Sequence, residues 1–459
     1  MRFHVIIILK KKIITEEQKM NGLMHFLENT LAPLGTRIGN QRHLKAVRDG
    51  FMMAMPLVLV GSFFLLLISW PDEAFNYSVQ GLLQDIGIYD ILTTMNQSTM
   101  AIISLVAVFG IAYRLSESYE TDGPSAGVLA LSSFILMAPR FATQVFNEEG
   151  EQVTQLFGGA IPFSSLNANA LFVAIVVGLV TAEIYRFFIQ RGIVIKMPKN
   201  VPDVVSRSFS ALLPTLTTLI FWACLLKGLD ALGVEGGLGA VLGLVIGQPL
   251  RLIAGTMFGM VIVVLVNSLF WFCGVNGGQV LNAFVDPVWL QMTEENQLAA
   301  ASGEVLPNII TLPFKDLFVF IGGGGATIGL GICLFLFSRS KTYKTLGRIS
   351  FIPSFFNINT AILFSFPTVL NPIMMIPFVL APTINALITY LAMYTGLVPL
   401  TTGVVLPWTM PPIIGGFLAT GGSWQGAVLQ VVLIAISFAI YYPFFRVADK
   451  NNLEKEKEE

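Results

Sequence analysis

Charge is what this sequence has least of. Only 12% of its 459 residues are Asp, Glu, Lys or Arg, against 54% hydrophobic, whereas an average soluble domain carries roughly 25% charged residues. Half the usual charge cannot cover a water-soluble body of this size. The balance of 27 basic against 28 acidic residues excludes a basic nucleic-acid binder, and the apolar content excludes intrinsic disorder and a collagen-like fibre. A polytopic membrane protein remains. Histidine is also scarce: His4, His25 and His43 are the whole set, with none beyond residue 43. Cys224, Cys273 and Cys333 each sit in an apolar run without CxxC spacing and read as small buried apolar residues. With no histidine near them, zinc and haem sites are not expected, and no metal or cofactor is assigned.

What is present is long apolar stretches. A transmembrane helix needs about 20 mostly apolar residues, and the candidates are 51–70, 98–113, 124–139, 168–188, 208–229, 253–272, 315–337, 373–395 and 425–445. The Gly-rich stretch 236–250 is either a tenth span or an interfacial helix. The start carries no signal peptide: the apolar run Val5 to Leu9 is short, and Lys10, Lys11 and Lys12 follow it on the wrong side. Residues 1–19 read as an extension without function, with Met1 and Met20 both open as the true start. From Met20 an amphipathic helix is expected, with Leu23, Met24, Phe26, Leu27 and Leu31 on one side.

Basic residues favour the cytoplasmic side. Residues 1–50 hold nine of them, 186–207 five and 338–349 four, while 71–97 holds none and 140–167 one. Both termini, the turn 114–122, and the loops 186–207 and 338–350 are therefore expected in the cytoplasm, with 71–97 and 140–167 outside. The loop 190–207, with Pro198 and Pro202, is the best boundary. It divides 20–200 from 201–446, leaving a tail at 447–459 and no appended soluble domain.

The second half is interrupted. FWFCGVNGGQVLNAF (270–284), FIGGGGATIGLG (320–331), FIPSFFNINTAILFSFPTVLNP (351–372) and VVLPWTMPPIIGGFLATGG (404–422) break apolar runs with glycine, asparagine and proline. Irregular backbone at membrane depth is tolerated only where protein buries it or where it lines a wet cavity, and broken segments point to a transporter's binding site. Helix packing and simple kinks would account for any one of these segments; four in one half favour a site. Asn276, Gln279, Asn357, Asn359, Thr360 and Trp408 are its candidate residues. Amides both donate and accept, which suits sugar hydroxyls, and a tryptophan face suits an apolar sugar face. Asn371, before Pro372, is equally a site amide or a helix cap. Charged groups are few there, which disfavours an ion pump. Asp230, Glu235 and Asp286 are placed in or near connecting turns.

HLKAVRDGFMMAMPLVLVGSFFLLL (43–67), VPDVVSRSFSALLP (201–214), GGGGATIGL (322–330), FNINTAILFSFPTVLNPIMMIPFVLAP (356–382) and PWTMPPIIGGFLATGGSWQGAVLQ (407–430) together resemble the membrane subunit, IIC, of the bacterial phosphotransferase sugar uptake system, in its lactose/cellobiose/chitobiose branch. The resemblance runs from about Met20 to Asp449. It implies an all-α polytopic protein of about ten transmembrane helices, with two re-entrant hairpins in the C-terminal half. It also implies a homodimer in the bacterial cytoplasmic membrane, with 20–200 as the dimerisation half and 201–446 as the transport half. A β-linked disaccharide such as cellobiose would be imported and phosphorylated on its 6-hydroxyl by a separate soluble IIB carrying phosphocysteine, itself charged by IIA. The chain would be the transport subunit of a phosphoryl-transfer complex and receive no phosphate itself. IIB docking would fall on 190–207 and 338–349, although basic loops also arise from orientation alone.

Two positions depart from the family pattern. The family's GIHG reads GVNG here, with Asn276 at the sugar-contacting histidine. Its NxNEP reads Asn357-Ile358-Asn359-Thr360-Ala361, with Thr360 at the glutamate and Ala361 at the proline. Losing a charge-assisted carboxylate bond to the sugar costs about 1.5–3 kcal/mol, or roughly 10–150-fold in affinity. Neither Asn276 nor Thr360 can move a proton at neutral pH as histidine or glutamate can. Two readings follow: a permease with a pocket altered for a different sugar, or a divergent paralogue uncoupled from phosphorylation that acts as facilitator, sensor or IIB platform. An ion-coupled carrier ranks below both.

Overall fold

The computed structural model describes residues 25, 27–68, 73–139, 141–146, 152–157, 160–198, 201–366, 368 and 371–458. The extension 1–19, and Leu23, Met24 and Phe26 of the expected first helix, lie outside these. The described part of that helix is a π-helical turn, Leu27–Leu31, leading into α1 (Ala32–Gly39).

Apolar runs become helices because lipid offers the backbone no other hydrogen-bond partner. In chain order they are α2 (Arg42–Ile68), α3 (Glu73–Asp85), α4 (Tyr89–Met100), α5 (Ile103–Ser118) and α6 (Gly123–Met137), then, after the strands β1 (Phe141–Phe146) and β2 (Gln152–Phe157), α7 (Leu171–Gln190), α8 (Asp203–Ser210), α9 (Leu212–Ala231) and α10 (Gly237–Leu242). There follow α11 (Gln248–Ala254), α12 (Met257–Phe272), α13 (Gly277–Ala301), α14 (Ile328–Phe337), α15 (Lys341–Phe355), α16 (Thr360–Ser365), α17 (Pro372–Tyr394), α18 (Ile414–Ala419) and α19 (Trp424–Glu458). Among the described residues, seven stretches are long and apolar enough to cross a membrane, and α6, α12 and α14 are shorter apolar helices. Together these account for the expected ten. The strands form one antiparallel hairpin, Phe141 opposite Phe157, within the loop 140–167.

Small residues set the helix crossings. A Cβ on Gly50 of α2 would lie 2.6 Å from the Ile111 backbone nitrogen of α5, and one on Gly110 would lie 2.8 Å from the Gly50 carbonyl. Val58, Ala107, Val108, Ala112 and Val177 are buried completely around this contact. Likewise a Cβ on Gly329 of α14 would lie 2.3 Å from the Phe438 nitrogen of α19. Close backbone approach holds such helices together because lipid tails are as apolar as the side chains they would replace.

Three expectations change. The span 315–337 is split: a π-helical turn, Phe314–Val319, precedes a glycine loop, and only Ile328–Phe337 continues as helix. Gly322, Gly323 and Gly325 have φ of 85°, 91° and 81°, which a right-handed helix cannot contain. The span 253–272 is cut at Thr256, whose hydroxyl caps α12 by accepting the Gly259 N–H at 3.1 Å. Asp286 lies inside α13, not near a turn. Asp-Pro resembles a helix boundary, but Pro287 is carried within the helix, and the Asp286 carboxylate accepts from the Lys315 ammonium at 3.0 Å.

Candidate functional site

The four broken segments meet around the glycine loop. Gly322 donates its backbone N–H to Asn357 Oδ1 at 2.6 Å, and Asn357 Nδ2 donates to the carbonyls of Trp408 at 2.5 Å and Met410 at 3.4 Å. Segments 320–331, 351–372 and 404–422 are thereby tied through one side chain. Asn357 has φ of 60°, a left-handed conformation that asparagine adopts more readily than most residues. Asn359 Nδ2 donates to the Gly324 carbonyl at 2.7 Å and to Thr327 Oγ1 at 2.9 Å, and Thr327 in turn donates to the Gly322 carbonyl at 2.7 Å. No described residue donates to Asn359 Oδ1.

The glycines are required by this packing. A Cβ on Gly323 would lie 2.6 Å from the Asn357 carbonyl and 2.7 Å from Asn359 Cγ. One on Gly324 would lie 2.9 Å from Trp271 Nε1, which brings the fourth segment, 270–284, against the same loop. That segment turns at Gly274, with φ of 79°, and Asn276 then caps α13, its Oδ1 accepting the Gln279 N–H at 3.1 Å.

The six candidate residues divide into two groups. Asn357 and Asn359 are buried, at 6% and 5% exposure, and their amide nitrogens are engaged within the protein. Thr360, the first residue of α16, and Gln279 are exposed, and Trp408 is 49% exposed. Asn357, Asn359 and Trp408 are drawn together by bonds, with Thr360 one peptide away. Asn276 and Gln279 approach through Trp271; among the described residues no hydrogen bond joins them directly to the others. Asn371 is a helix cap, its Oδ1 accepting the Ile373 N–H at 3.1 Å.

Other supporting residues stand outside the candidate set. Gln430 Oε1 accepts the N–H groups of Ile413 at 2.5 Å and Gly416 at 2.7 Å, while its Nε2 donates to the Leu317 carbonyl at 2.6 Å. It fastens 404–422 to the π-helical turn; its signal was an amide in the middle of the apolar run 426–440. Tyr441 donates to the Gly325 carbonyl at 2.7 Å. Lys315 is buried, its ammonium 3.0 Å from Asp286 and 3.1 Å from Asp316 and 5.3 Å above the Trp289 ring, so the π-helical turn is fastened to α13. The exposed groups at this crossing are a hydroxyl, an amide and an indole face, equipped to bond and stack a neutral hydroxylated solute.

The chain as a whole has known counterparts. The family described as "Phosphotransferase system, EIIC" matches residues 48–382. The lichenan permease IIC component of Bacillus subtilis (strain 168) is 40% identical over 442 residues, 96% of each chain. The PTS system cellobiose-specific EIIC component of Geobacillus stearothermophilus is 38% identical, covering 95% of this chain and 97% of its own. Among solved structures, the transporter ChbC, the IIC component from the N,N'-diacetylchitobiose-specific phosphotransferase system, aligns with a TM-score of 0.89 and 35% identity over 95% of this chain and all of its own. The chain therefore belongs to the EIIC family of the phosphotransferase system and is a multi-pass membrane sugar permease component.

Proposed function

We propose that this permease component imports a β-linked disaccharide of the cellobiose type and presents it to a separate IIB subunit for phosphorylation. The convergence of four broken segments on one glycine loop, with neutral polar groups and an indole face exposed beside it, carries this reading; the names of the relatives support the sugar class. In it, Thr360, Gln279 and Asn276 bond sugar hydroxyls and the Trp408 ring stacks on the sugar. Asn357 and Asn359 hold the loop, with Asn359 Oδ1 also available to a hydroxyl. The chain's contribution to phosphoryl transfer is alignment of the accepting hydroxyl.

Both termini are assigned to the cytoplasm. Glu183 gathers His43 at 2.9 Å, Tyr119 at 2.7 Å and Arg186 at 2.6 Å, so the basic N-terminal segment, the 114–122 turn and the start of 186–207 share one end of the bundle. At the other basic loop, Arg339 and Ser340 donate their N–H groups to Asp449 at 3.0–3.1 Å, which puts the tail beside 338–350. Residues 20–200 serve as the dimerisation half of a homodimer and 201–446 as the transport half, with IIA and IIB as separate chains.

Asn276 and Thr360 favour a second reading, a paralogue uncoupled from phosphorylation that works as facilitator, sensor or IIB platform. Uptake of radiolabelled β-glucosides in cells carrying the cognate IIA and IIB separates the two. Accumulated sugar phosphate supports coupled import. Free sugar alone supports the facilitator, and no uptake across a broad sugar panel overturns import by either route.

A further inference from the structure

An amphipathic groove lies outside the sugar site, between α7 and α9. Its volume is about 590 Å³, and Leu179, Ile184 and Phe188 of α7 face Thr217 and Phe221 of α9 along it. Both helices belong to stretches apolar enough to cross a membrane, 163–190 and 205–231, so the groove runs along the hydrocarbon rather than into water. One end of it is cationic. His43 and Arg186 line that end beside Glu183. Two more guanidiniums flank it: Arg42 stacks 5.1 Å over the Tyr119 ring, and Arg191 stacks 4.5 Å over Phe187, itself a lining residue. Arg186 is committed to Glu183 at 2.6 Å, whereas no described carboxylate pairs with Arg42 or Arg191. Among the described residues, three guanidiniums thus stand at or beside the mouth, against the one lining carboxylate of Glu183.

We infer that this groove binds an anionic phospholipid, with an acyl chain along the apolar wall and the headgroup phosphate between Arg42 and Arg191. Basic pockets between membrane helices are suited to anionic headgroups, and a guanidinium meets phosphate with paired donors. The volume falls within the range of about 300–1,000 Å³ found for small-molecule pockets. Charge argues against a second copy of the chain as the occupant: a two-fold pair closing on this end would set one cationic mouth against the other.

Native mass spectrometry of the purified full-length chain, titrated with phosphatidylglycerol or with phosphatidylcholine of the same acyl chains, tests the assignment. Phosphatidylglycerol is expected to be retained about tenfold more tightly. Arg42→Gln with Arg191→Gln should bring it down to the phosphatidylcholine level, and Thr217→Trp, which fills the groove, should release both lipids. Val180→Trp serves as a second groove-filling variant if Thr217→Trp does not elute as a folded species. Equal retention of the two lipids by the native chain overturns the inference, as does a phosphatidylglycerol preference that survives loss of both arginines. So does a filled groove that keeps its lipid but splits a dimer, which would assign the groove to a second copy.

Discussion

Asn357 and Gly322 are joined side chain to backbone at 2.6 Å, and this bond fixes the glycine loop to the segment that carries Thr360. The same amide reaches the carbonyls of Trp408 and Met410, so one buried side chain satisfies three backbone groups on two other segments. The bond to the Gly322 N–H is buried, so that group has no water to fall back on, while the bonds to the Trp408 and Met410 carbonyls are part-buried.

Asn357→Ala should therefore destabilise the protein by about 3 kcal/mol, since each buried backbone group left unpaired costs about 1–3 kcal/mol. Asn357→Gly keeps the left-handed backbone without strain but makes none of the three bonds. Thermal unfolding in detergent checks the pair: both variants should melt well below the native protein, and a native-like melting point for the glycine variant would show that backbone conformation alone matters at this position.

The double substitution Asn276→His with Thr360→Glu should raise sugar-dependent phosphorylation by IIB, or broaden the sugars accepted. Thr360 is exposed, so a longer carboxylate fits without repacking. A charge-assisted bond regained there corresponds to roughly 10–150-fold in affinity. Sugar binding by calorimetry and phosphate transfer from purified IIB read the two effects separately. Unchanged binding and transfer for every sugar tried would show that these positions do not limit the present pocket.

How much of this was legible in the sequence depends on the kind of information each residue carries. The broken segments could be read because glycine, proline and asparagine interrupt an apolar run locally, and all four do meet. The partner of a polar side chain is not local. Asn357 and Asn359 read as amides able to bond a sugar, and their amide N–H groups are engaged by backbone carbonyls and the Thr327 hydroxyl; an amide's composition does not distinguish an acceptor in the chain from a hydroxyl on a solute. Asp286 reads in sequence as lying in or near a connecting turn, whereas it sits inside α13. Only the tertiary pairing with Lys315, 29 residues further along the chain, reveals why a carboxylate sits within α13.

That pairing yields a stability prediction. Lys315 stands between Asp286 and Asp316 at 3.0 and 3.1 Å and is almost wholly buried. Lys315→Met leaves two carboxylates facing each other without a counter-charge and should cost about 3–5 kcal/mol. Neutralising the carboxylates as well, with Asp286→Asn and Asp316→Asn, should recover most of the loss. Unfolding measurements on the four combinations check this; a triple variant no more stable than Lys315→Met would mean that the lysine stem's packing, not its charge, holds the π-helical turn.

The tail supplies the last prediction. The first turn of α15 has N–H groups that no helical carbonyl can satisfy, and side chains take all of them. Ser340 accepts from Tyr343 at 3.2 Å, Glu456 accepts from Lys341 and Thr342 at 2.9 Å, and Asp449 accepts from Arg339 and Ser340 just before the helix. Asp449 and Glu456 lie seven residues apart, two turns along one face of α19, so the charged end of that helix acts as a cap for α15, whose other end leads into Asn357 and Thr360. Asp449→Ala should cost about 1 kcal/mol, as loss of a helix cap does, and should speed hydrogen exchange at residues 339–343 more than elsewhere. Glu456→Ala should act chiefly at Lys341 and Thr342, with a smaller effect at Tyr343 through the Ser340 hydroxyl that Glu456 also accepts from at 2.7 Å. If exchange at 339–343 instead stays at the native rate in both variants, the tail lies beside α15 without holding it, and truncation after Arg446 should then leave sugar binding unaltered.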